Sequence, residues 1–247
     1  MKIYNELIKI LEKSDKKNNI NISVIGKIED YSIFLIEKSY KNAAASGLIV
    51  AGFHGDEPAP CIAVIEFIEK LLNNEINIGC DIYIIPIVNP TGLELGIRYN
   101  KWGQDPNRGF VHDFDNISIE GEIIKNYVIN HYKKFDAMIS LHEDIEETKF
   151  YLYTFENQEK PGEFSYILRN TGGEFFGIKN GQDCEDGIIF MEHDGSFEDF
   201  MFHLGVPFTA CTETPGECDI DLRIKANINL IESFIYFLEN LKRGDIK

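Results

Sequence analysis

The sequence lacks several features that mark whole classes of protein. No apolar run reaches the roughly 18 residues that a membrane-spanning helix needs, and the N-terminal residues lack the continuous apolar stretch of a signal peptide. Five cysteines without a CxxC pair argue against a disulfide framework and against a cysteine-rich metal site. Basic residues are scarce, since 24 Lys and Arg stand against 41 Asp and Glu. The resulting charge of −17 disfavours nucleic acid and membrane surfaces as partners. We expect a cytoplasmic protein; the sequence indicates no oligomeric state.

The apolar content that is present is enough for a full-sized core. With 247 residues, 44% of them hydrophobic, the chain can bury the core of one domain. Proline and glycine are spread out, and no linker or internal repeat divides the chain. We therefore predict one domain over residues 1–247, in which residues 1–40 contribute an N-terminal helix and a β-hairpin.

Four short apolar runs predict buried strands, at residues 47–53, 82–88, 137–141 and 207–211. Patterns with helical spacing lie between or after them, at residues 59–72, 119–132, 197–204 and 228–241. Strands that alternate with helices in this way are typical of an α/β sheet covered on both faces.

Polar residues that could carry chemistry directly follow these strands. His54 and Glu57 follow the first, Asn89-Pro90-Thr91-Gly92 the second, His142 the third and Glu213 the fourth. Ligands of open α/β sheets bind beyond the carboxyl ends of the strands, so these residues are expected to meet in one crevice.

Two histidines and a glutamate form the three-ligand set of a catalytic zinc site, which leaves a position for water. Zinc lowers the pKa of that water and polarises a carbonyl, and Glu213 could act as the general base and acid. An HxxE motif alone is common, and a single strand-end histidine is often only hydrogen-bonded. Arg98 and Arg108 lie in one loop, and they strengthen the interpretation as a zinc site because basic residues are scarce in this sequence.

Taken in order, these motifs resemble the zinc carboxypeptidase family, which includes digestive carboxypeptidases and bacterial cell-wall hydrolases such as murein-peptide amidases. The similarity spans residues 47–216 and includes HxxE, NPxG, RxN, DxNR, the strand-end His142 and the Thr212-Glu213 pair. It implies a mixed, mostly parallel, twisted eight-stranded sheet with helices on both faces, and one zinc ion.

The resemblance also assigns roles to single residues. It implies zinc ligation by His54, Glu57 and His142, and catalysis by Glu213. Asp105 would hydrogen-bond His54, and such a partner fixes the orientation of a metal-bound ring. Arg98 would stabilise the oxyanion that develops in the transition state. Asn107 and Arg108 would hold the terminal carboxylate of the substrate.

Two departures from the family pattern put the substrate in question. Asp56 stands where the digestive enzymes carry an arginine, so one contact to the substrate is reversed in sign. Residues 188–193 contain no tyrosine where those enzymes have one, although Tyr151 or Tyr153 could supply a phenol. His193 falls in the segment that shapes the side-chain pocket, so we predict Asp56 and His193 as substrate contacts.

Acidic residues are dense in the same region, with seven between 183 and 199 and no Lys or Arg. They could form a solvated surface, or they could select a substrate with an ammonium group, such as a lysine-like or diaminopimelate-like residue.

The favoured hypothesis is a zinc metallocarboxypeptidase that cleaves the amide bond next to a free carboxylate in small or cell-wall-derived peptides. The first alternative is an N-acyl amino acid deacylase, because the succinylglutamate desuccinylase and aspartoacylase group shares the HxxE and the distal histidine. A second alternative is a binding protein that has kept the fold and lost the chemistry.

Overall fold

The computed structural model describes residues 2–13, 19–111, 116–181 and 183–241. Within these ranges the strands are β1 (Ile20–Ile28), β2 (Tyr31–Lys38), β3 (Ser46–Ala51), β4 (Asp81–Ile85), β5 (Ala137–Asp144), β6 (Tyr151–Glu156), β7 (Ile188–Phe190) and β8 (Phe208–Pro215). The helices are α1 (Lys2–Lys13), α2 (Pro58–Leu72), α3 (Pro90–Leu95), α4 (Ile119–His131), α5 (Glu163–Phe176), α6 (Phe197–His203) and α7 (Ile220–Asn240).

All these strands join one mixed sheet in the order β1-β2-β4-β3-β5-β8-β6-β7. The central strands β4, β3, β5 and β8 are parallel to one another. The N-terminal hairpin of β1 and β2 adds to the sheet by antiparallel pairing of β2 with β4. At the other edge β6 runs antiparallel to β8, and β7 runs parallel to β6. The predicted eight-stranded, mostly parallel α/β sheet is confirmed.

The four predicted apolar runs correspond to the four central strands, but β3 and β4 end earlier than predicted, at Ala51 and Ile85, and two strands end later. β5 continues to Asp144 and β8 to Pro215, and His142 pairs in register with Glu213. The apolar pattern ends earlier because the last residues carry polar side chains, whereas the backbone ladder continues. His142 and Glu213 therefore lie inside neighbouring paired strands instead of following them.

Helices cover both faces of the sheet. Alternate side chains of β3 point to opposite faces, as strand geometry requires, so Leu48 and Val50 belong to one apolar cluster and Ile49 and Ala51 to the other. Helices α1, α2, α5 and α7 pack on the Ile49 side, whereas α4 and α6 pack on the Leu48 side. Each fully buried Leu, Ile, Val or Phe contributes about 1.5–3 kcal/mol, so both layers are held by apolar burial.

Helix α7 begins eight residues before the predicted start, because Asp219 caps it. The Asp219 side chain accepts hydrogen bonds from the backbone N–H groups of Asp221 and Leu222. This cap satisfies donors that the first helical turn leaves unpaired. No helix in the described ranges is long and apolar enough to cross a membrane.

The turn after β3 packs directly against the first turn of α3. Asn89 caps α3 by accepting from the N–H of Gly92, and its Nδ2 donates to the carbonyl of Phe53 at 3.1 Å. A Cβ added at Gly55 would lie 1.9 Å from the carbonyl carbon of Gly92 and 2.2 Å from its oxygen. The glycines of the two motifs thus allow the turn that carries His54 and Glu57 to approach the backbone of α3.

We expect Gly55→Ala to destabilise the protein by about 3 kcal/mol, the upper end of the usual cost of overpacking. The free energy of unfolding from urea titration measures this cost. Gly181→Ala is the matched control, because no described residue other than its chain neighbours lies within 4 Å of a Cβ there. Equal stability of the two variants would contradict the close packing of the two turns.

Candidate metal centre and active site

A cavity of about 350 Å³ opens at the carboxyl ends of the central strands. It brings together eight of the ten site residues predicted from the sequence: His54, Asp56, Glu57, Arg98, Asn107, Arg108, His142 and Glu213. The other two, Asp105 and His193, lie outside the cavity lining formed by the described residues.

His54, Glu57 and His142 meet at the base of this cavity. The Nδ1 of His54 lies 2.6 Å from Oε1 of Glu57, and the Nδ1 of His142 lies 3.0 Å from Oε2 of the same carboxylate. The two Nδ1 atoms are 3.3 Å apart. All three residues are buried, so two imidazole nitrogens and a carboxylate converge on one point shielded from water.

This cluster fits a divalent metal ion. Two histidine nitrogens and one carboxylate are the protein ligands of one class of catalytic zinc site. The atoms that converge are the same atom of each ring, Nδ1, which leaves each Nε2 free for an outer partner. His54 has such a partner, since its Nε2 lies 3.2 Å from Oδ1 of Asp105. Among the described residues, none hydrogen-bonds to the Nε2 of His142.

Charges within the cluster perturb the titration of its members. Burial lowers the pKa of His54, but the carboxylates of Glu57 and Asp105 outweigh it and raise that pKa to about 9. Burial likewise opposes the charged form of Glu57, yet the two histidines lower its pKa to about 2. In the absence of metal, His54 therefore carries a proton where a cation would bind.

Asp105 also positions Arg98. The Nε and Nη2 of Arg98 each donate to Oδ2 of Asp105 at 3.2 Å. Its Nη1 is then 3.9 Å from Oε1 of Glu57. Through one carboxylate, the structure connects the His54 ring to a guanidinium that lines the cavity.

Glu213 lies next to this cluster on the neighbouring strand, opposite His142. Burial raises its pKa to about 8; His142 opposes this shift, whereas Glu57 and Asp144 reinforce it. The thiol of Cys211 lies 3.6 Å from Oε1 of Glu213. A carboxyl group with a raised pKa can exchange a proton near neutral pH, which suits a general base and acid.

Arg108 and Asn107 line the cavity but already have partners in the protein. The Nη2 of Arg108 lies 3.2 Å from Asp194, and its Nη1 donates to the carbonyl of Asn107. The amide of Asn107 accepts from the N–H of Phe197 and donates to Glu198 at 3.2 Å. A substrate carboxylate would therefore share Arg108 with Asp194.

His193, a predicted substrate contact, is not among the described residues that line the cavity. Its Nδ1 lies 2.6 Å from Oδ1 of Asp199. Asp56 does line the cavity, and its Oδ1 is buried and has no hydrogen-bond partner among the described residues. Burial raises the pKa of Asp56.

Both candidate tyrosines of β6 line the cavity. Tyr151 pairs in register with Glu213, and its hydroxyl donates to Oδ2 of Asp144 at 2.8 Å. Burial and the carboxylates of Glu213 and Asp144 raise the pKa of Tyr151. The phenol therefore remains protonated and able to donate.

Sequence reasoning missed an ion pair with a buried carboxylate that joins α7 to the cluster of His54, Glu57 and His142. Arg223 donates to Oε1 of Glu143 at 2.5 Å, and Oε2 of Glu143 accepts from the N–H of Ala59 at 2.9 Å. The N–H of Glu143 in turn donates to Oε2 of Glu57. Glu143 directly follows a proposed ligand, which is the only sequence signal for this role. Because several other acidic residues line the same cavity, residue type alone does not single out Glu143.

The model of the succinylglutamate desuccinylase/aspartoacylase catalytic domain matches residues 43–171. The chain belongs to this family. The matched region includes His54, Glu57 and His142 and ends before Glu213. A comparison with curated proteins finds no match.

Several solved structures have a similar fold. A putative metallopeptidase of Shewanella denitrificans OS217 is 30% identical, with a TM-score of 0.83 over 97% of this chain and 90% of that one. That of Shewanella amazonensis SB2B is 31% identical, with a TM-score of 0.84 over 96% and 92%. Thrombin activatable fibrinolysis inhibitor shares the fold at 14% identity, with a TM-score of 0.70 over 97% and 74%. This member of the family therefore has the fold of the metallocarboxypeptidases.

We expect Arg223→Gln to weaken zinc binding about 10-fold or more, as loss of an outer partner typically does. The variant would leave the Glu143 carboxylate buried without its cation and loosen the link to Glu57. Competition with a chromophoric chelator measures the affinity. Arg169→Gln is the control, because Arg169 pairs with the exposed Asp186 on the surface. Unchanged affinity in Arg223→Gln would contradict the positioning role.

Zinc affinity is expected to rise with pH up to about pH 9, because the ion must displace the proton that His54 holds. Below that pKa, each displaced proton raises the apparent affinity about tenfold per pH unit. Calorimetry at several pH values measures the slope. In Asp105→Asn the pKa of His54 falls, so the rise should level off at lower pH. An affinity independent of pH would show that the apo site is not protonated.

Proposed function

We propose that this protein is a zinc-dependent hydrolase that cleaves an amide bond next to a free carboxylate. The favoured activity is that of a metallocarboxypeptidase on small or cell-wall-derived peptides. One observation carries this proposal: three convergent donor residues, the general base Glu213 and two cavity arginines lie in one cavity. Family membership supports the same class of reaction.

His54, Glu57 and His142 would hold the ion. When bound, Zn²⁺ lowers the pKa of a water molecule and polarises the scissile carbonyl. Glu213 accepts the proton of that water and later donates it to the leaving nitrogen, a transfer worth about 10²–10⁴-fold in rate. Arg98 offers its guanidinium to the oxyanion that develops on the carbonyl oxygen.

Arg108 would bind the free carboxylate of the substrate. A guanidinium can bind a carboxylate through two parallel hydrogen bonds. Here Asp194 holds one side of that guanidinium, and the amide nitrogen of Asn107 donates to Glu198. Substrate binding thus requires Arg108 to exchange or share its protein partner.

The acidic residues that line the cavity influence which charge the leaving residue of the substrate carries. Of the seven acids between residues 183 and 199, Asp194 and Glu198 line the cavity. Asp56 lines it as well and has an unpaired buried oxygen. These carboxylates favour a substrate whose leaving residue carries an ammonium group.

The second candidate is an N-acyl amino acid deacylase. It is favoured by the match to the succinylglutamate desuccinylase/aspartoacylase catalytic domain over residues 43–171. The same machinery would serve it, since the amide again lies next to a carboxylate. A non-catalytic binding protein is the least favoured, because ligands, base and arginines are all retained.

We expect Glu213→Gln to reduce kcat by at least about 10²-fold while zinc content stays unchanged, because the base is lost and the ligands are kept. Glu217→Gln, at an exposed position four residues along the chain, serves as the control and should retain full activity. Full activity in Glu213→Gln would contradict the mechanism.

The substrate is tested with a panel of short peptides and N-acyl amino acids, with metal-stripped enzyme as the blank. Within each class, leaving residues with and without a side-chain ammonium are compared. Turnover of peptides supports the carboxypeptidase, whereas turnover of N-acyl amino acids alone supports the deacylase. No turnover of any compound by zinc-loaded protein would contradict both.

A further inference from the structure

A second group of side chains of types that can bind a metal ion lies in and next to the segment that contains Asp194, Ser196 and Glu198 of the cavity lining. It consists of His193, Asp199 and His203, which we call the outer cluster. The Nδ1 atoms of His193 and His203 lie 2.6 and 2.9 Å from the same oxygen, Oδ1 of Asp199. The two rings are 5.1 Å apart. Two imidazole nitrogens therefore face a single carboxylate oxygen.

The burial of the outer cluster suits an ion that enters from solvent. The Asp199 carboxylate is fully buried, and its second oxygen accepts from the N–H of Gly195 at 3.0 Å. The two histidine side chains are 43% and 48% exposed. The carboxylate is thus fixed in place, while both rings can be reached and can adjust.

The chemistry of these donors selects a class of ion. Two imidazoles and a carboxylate suit Zn²⁺, Ni²⁺ or Cu²⁺, whereas Mg²⁺ and Ca²⁺ prefer oxygen ligands. Metal–ligand bonds of about 2.0–2.1 Å in a tetrahedral arrangement separate the ligand atoms by about 3.3 Å. The present nitrogen–oxygen distances of 2.6 and 2.9 Å are shorter by less than 1 Å. The Nδ1 of His203 also lies 2.8 Å from the carbonyl oxygen of Asp199, and a metal ion would replace the hydrogen bond between them.

Local charge favours a cation at this position. The stretch 183–199 has seven acids and no Lys or Arg. Arg108, which approaches this stretch, is paired with Asp194. A divalent ion would offset part of this negative charge.

We propose that the outer cluster is a second binding site for a divalent transition-metal ion. It shares no residue with the metal centre of His54, Glu57 and His142. Its outer members, His193 and His203, bracket a segment whose Asp194, Ser196 and Glu198 line the cavity. An ion held there would connect the start of this segment to the end of α6 and brace the cavity wall.

Zinc counting in the full-length protein tests the proposal. After equilibration with Zn²⁺ and removal of free metal, elemental analysis should find two ions per chain in the unmodified protein. His203→Gln and His193→Gln should each retain one ion, and His54→Gln should also retain one. His54→Gln combined with His203→Gln should retain none. His131→Gln is the control, because His131 contacts the carbonyl four residues earlier on α4, as His203 does on α6.

Different results separate this proposal from the proposed function. One ion that is lost in His54→Gln and kept in His203→Gln would overturn the second site alone. One ion with the opposite behaviour would support the second site and contradict the metal centre. Two ions retained when His193→Gln and His203→Gln are combined would also overturn the outer cluster. Circular dichroism confirms folding, and Asp199 is left unchanged because it is buried.

Discussion

The buried carboxylate of Glu57 is the interaction on which the site depends. One oxygen faces His54, and the other faces His142 and accepts the N–H of Glu143. A buried charge is costly unless opposite charge and hydrogen bonds compensate it. Glu57 obtains both from two separate parts of the chain, the turn after β3 and the end of β5. The same contacts that make it tolerable therefore bring the donor atoms together.

Much of the fold could be predicted because the central strands are buried on both faces. Continuous apolar runs identified β3, β4, β5 and β8, and these are the four neighbours at the middle of the sheet. The edge elements β6, β7 and α5 gave weaker signals. β6 pairs with β8, β7 pairs with β6, and α5 packs on α7, and these are contacts between residues distant in sequence. The resemblance supplied the strand number; the apolar pattern alone did not.

The candidate site was predictable where residue type and strand position coincide, as at His54, Glu57 and His142. It was not predictable where a side chain's direction decides its role. His193 lies in the segment that shapes the cavity yet turns to Asp199, because that buried carboxylate needs a partner. Glu143 belongs to an acidic run that suggests a solvated surface, yet Arg223 from α7 neutralises it. Both outcomes follow from desolvation of a charge, which the order of residues does not reveal.

The register between β5 and β8 places His142 beside Glu213 on adjacent strands. Neighbouring strands lie about 4.8 Å apart, a spacing that backbone hydrogen bonds maintain whatever the side chains are. The distance between the backbones of His142 and Glu213 is therefore a property of the sheet, whereas Asp194 and the residues around it belong to a connecting segment. Substitutions in such segments can change which substrate is bound, while the residues on the paired strands keep their positions. Members of a family with this arrangement can therefore differ in substrate while they share one type of reaction.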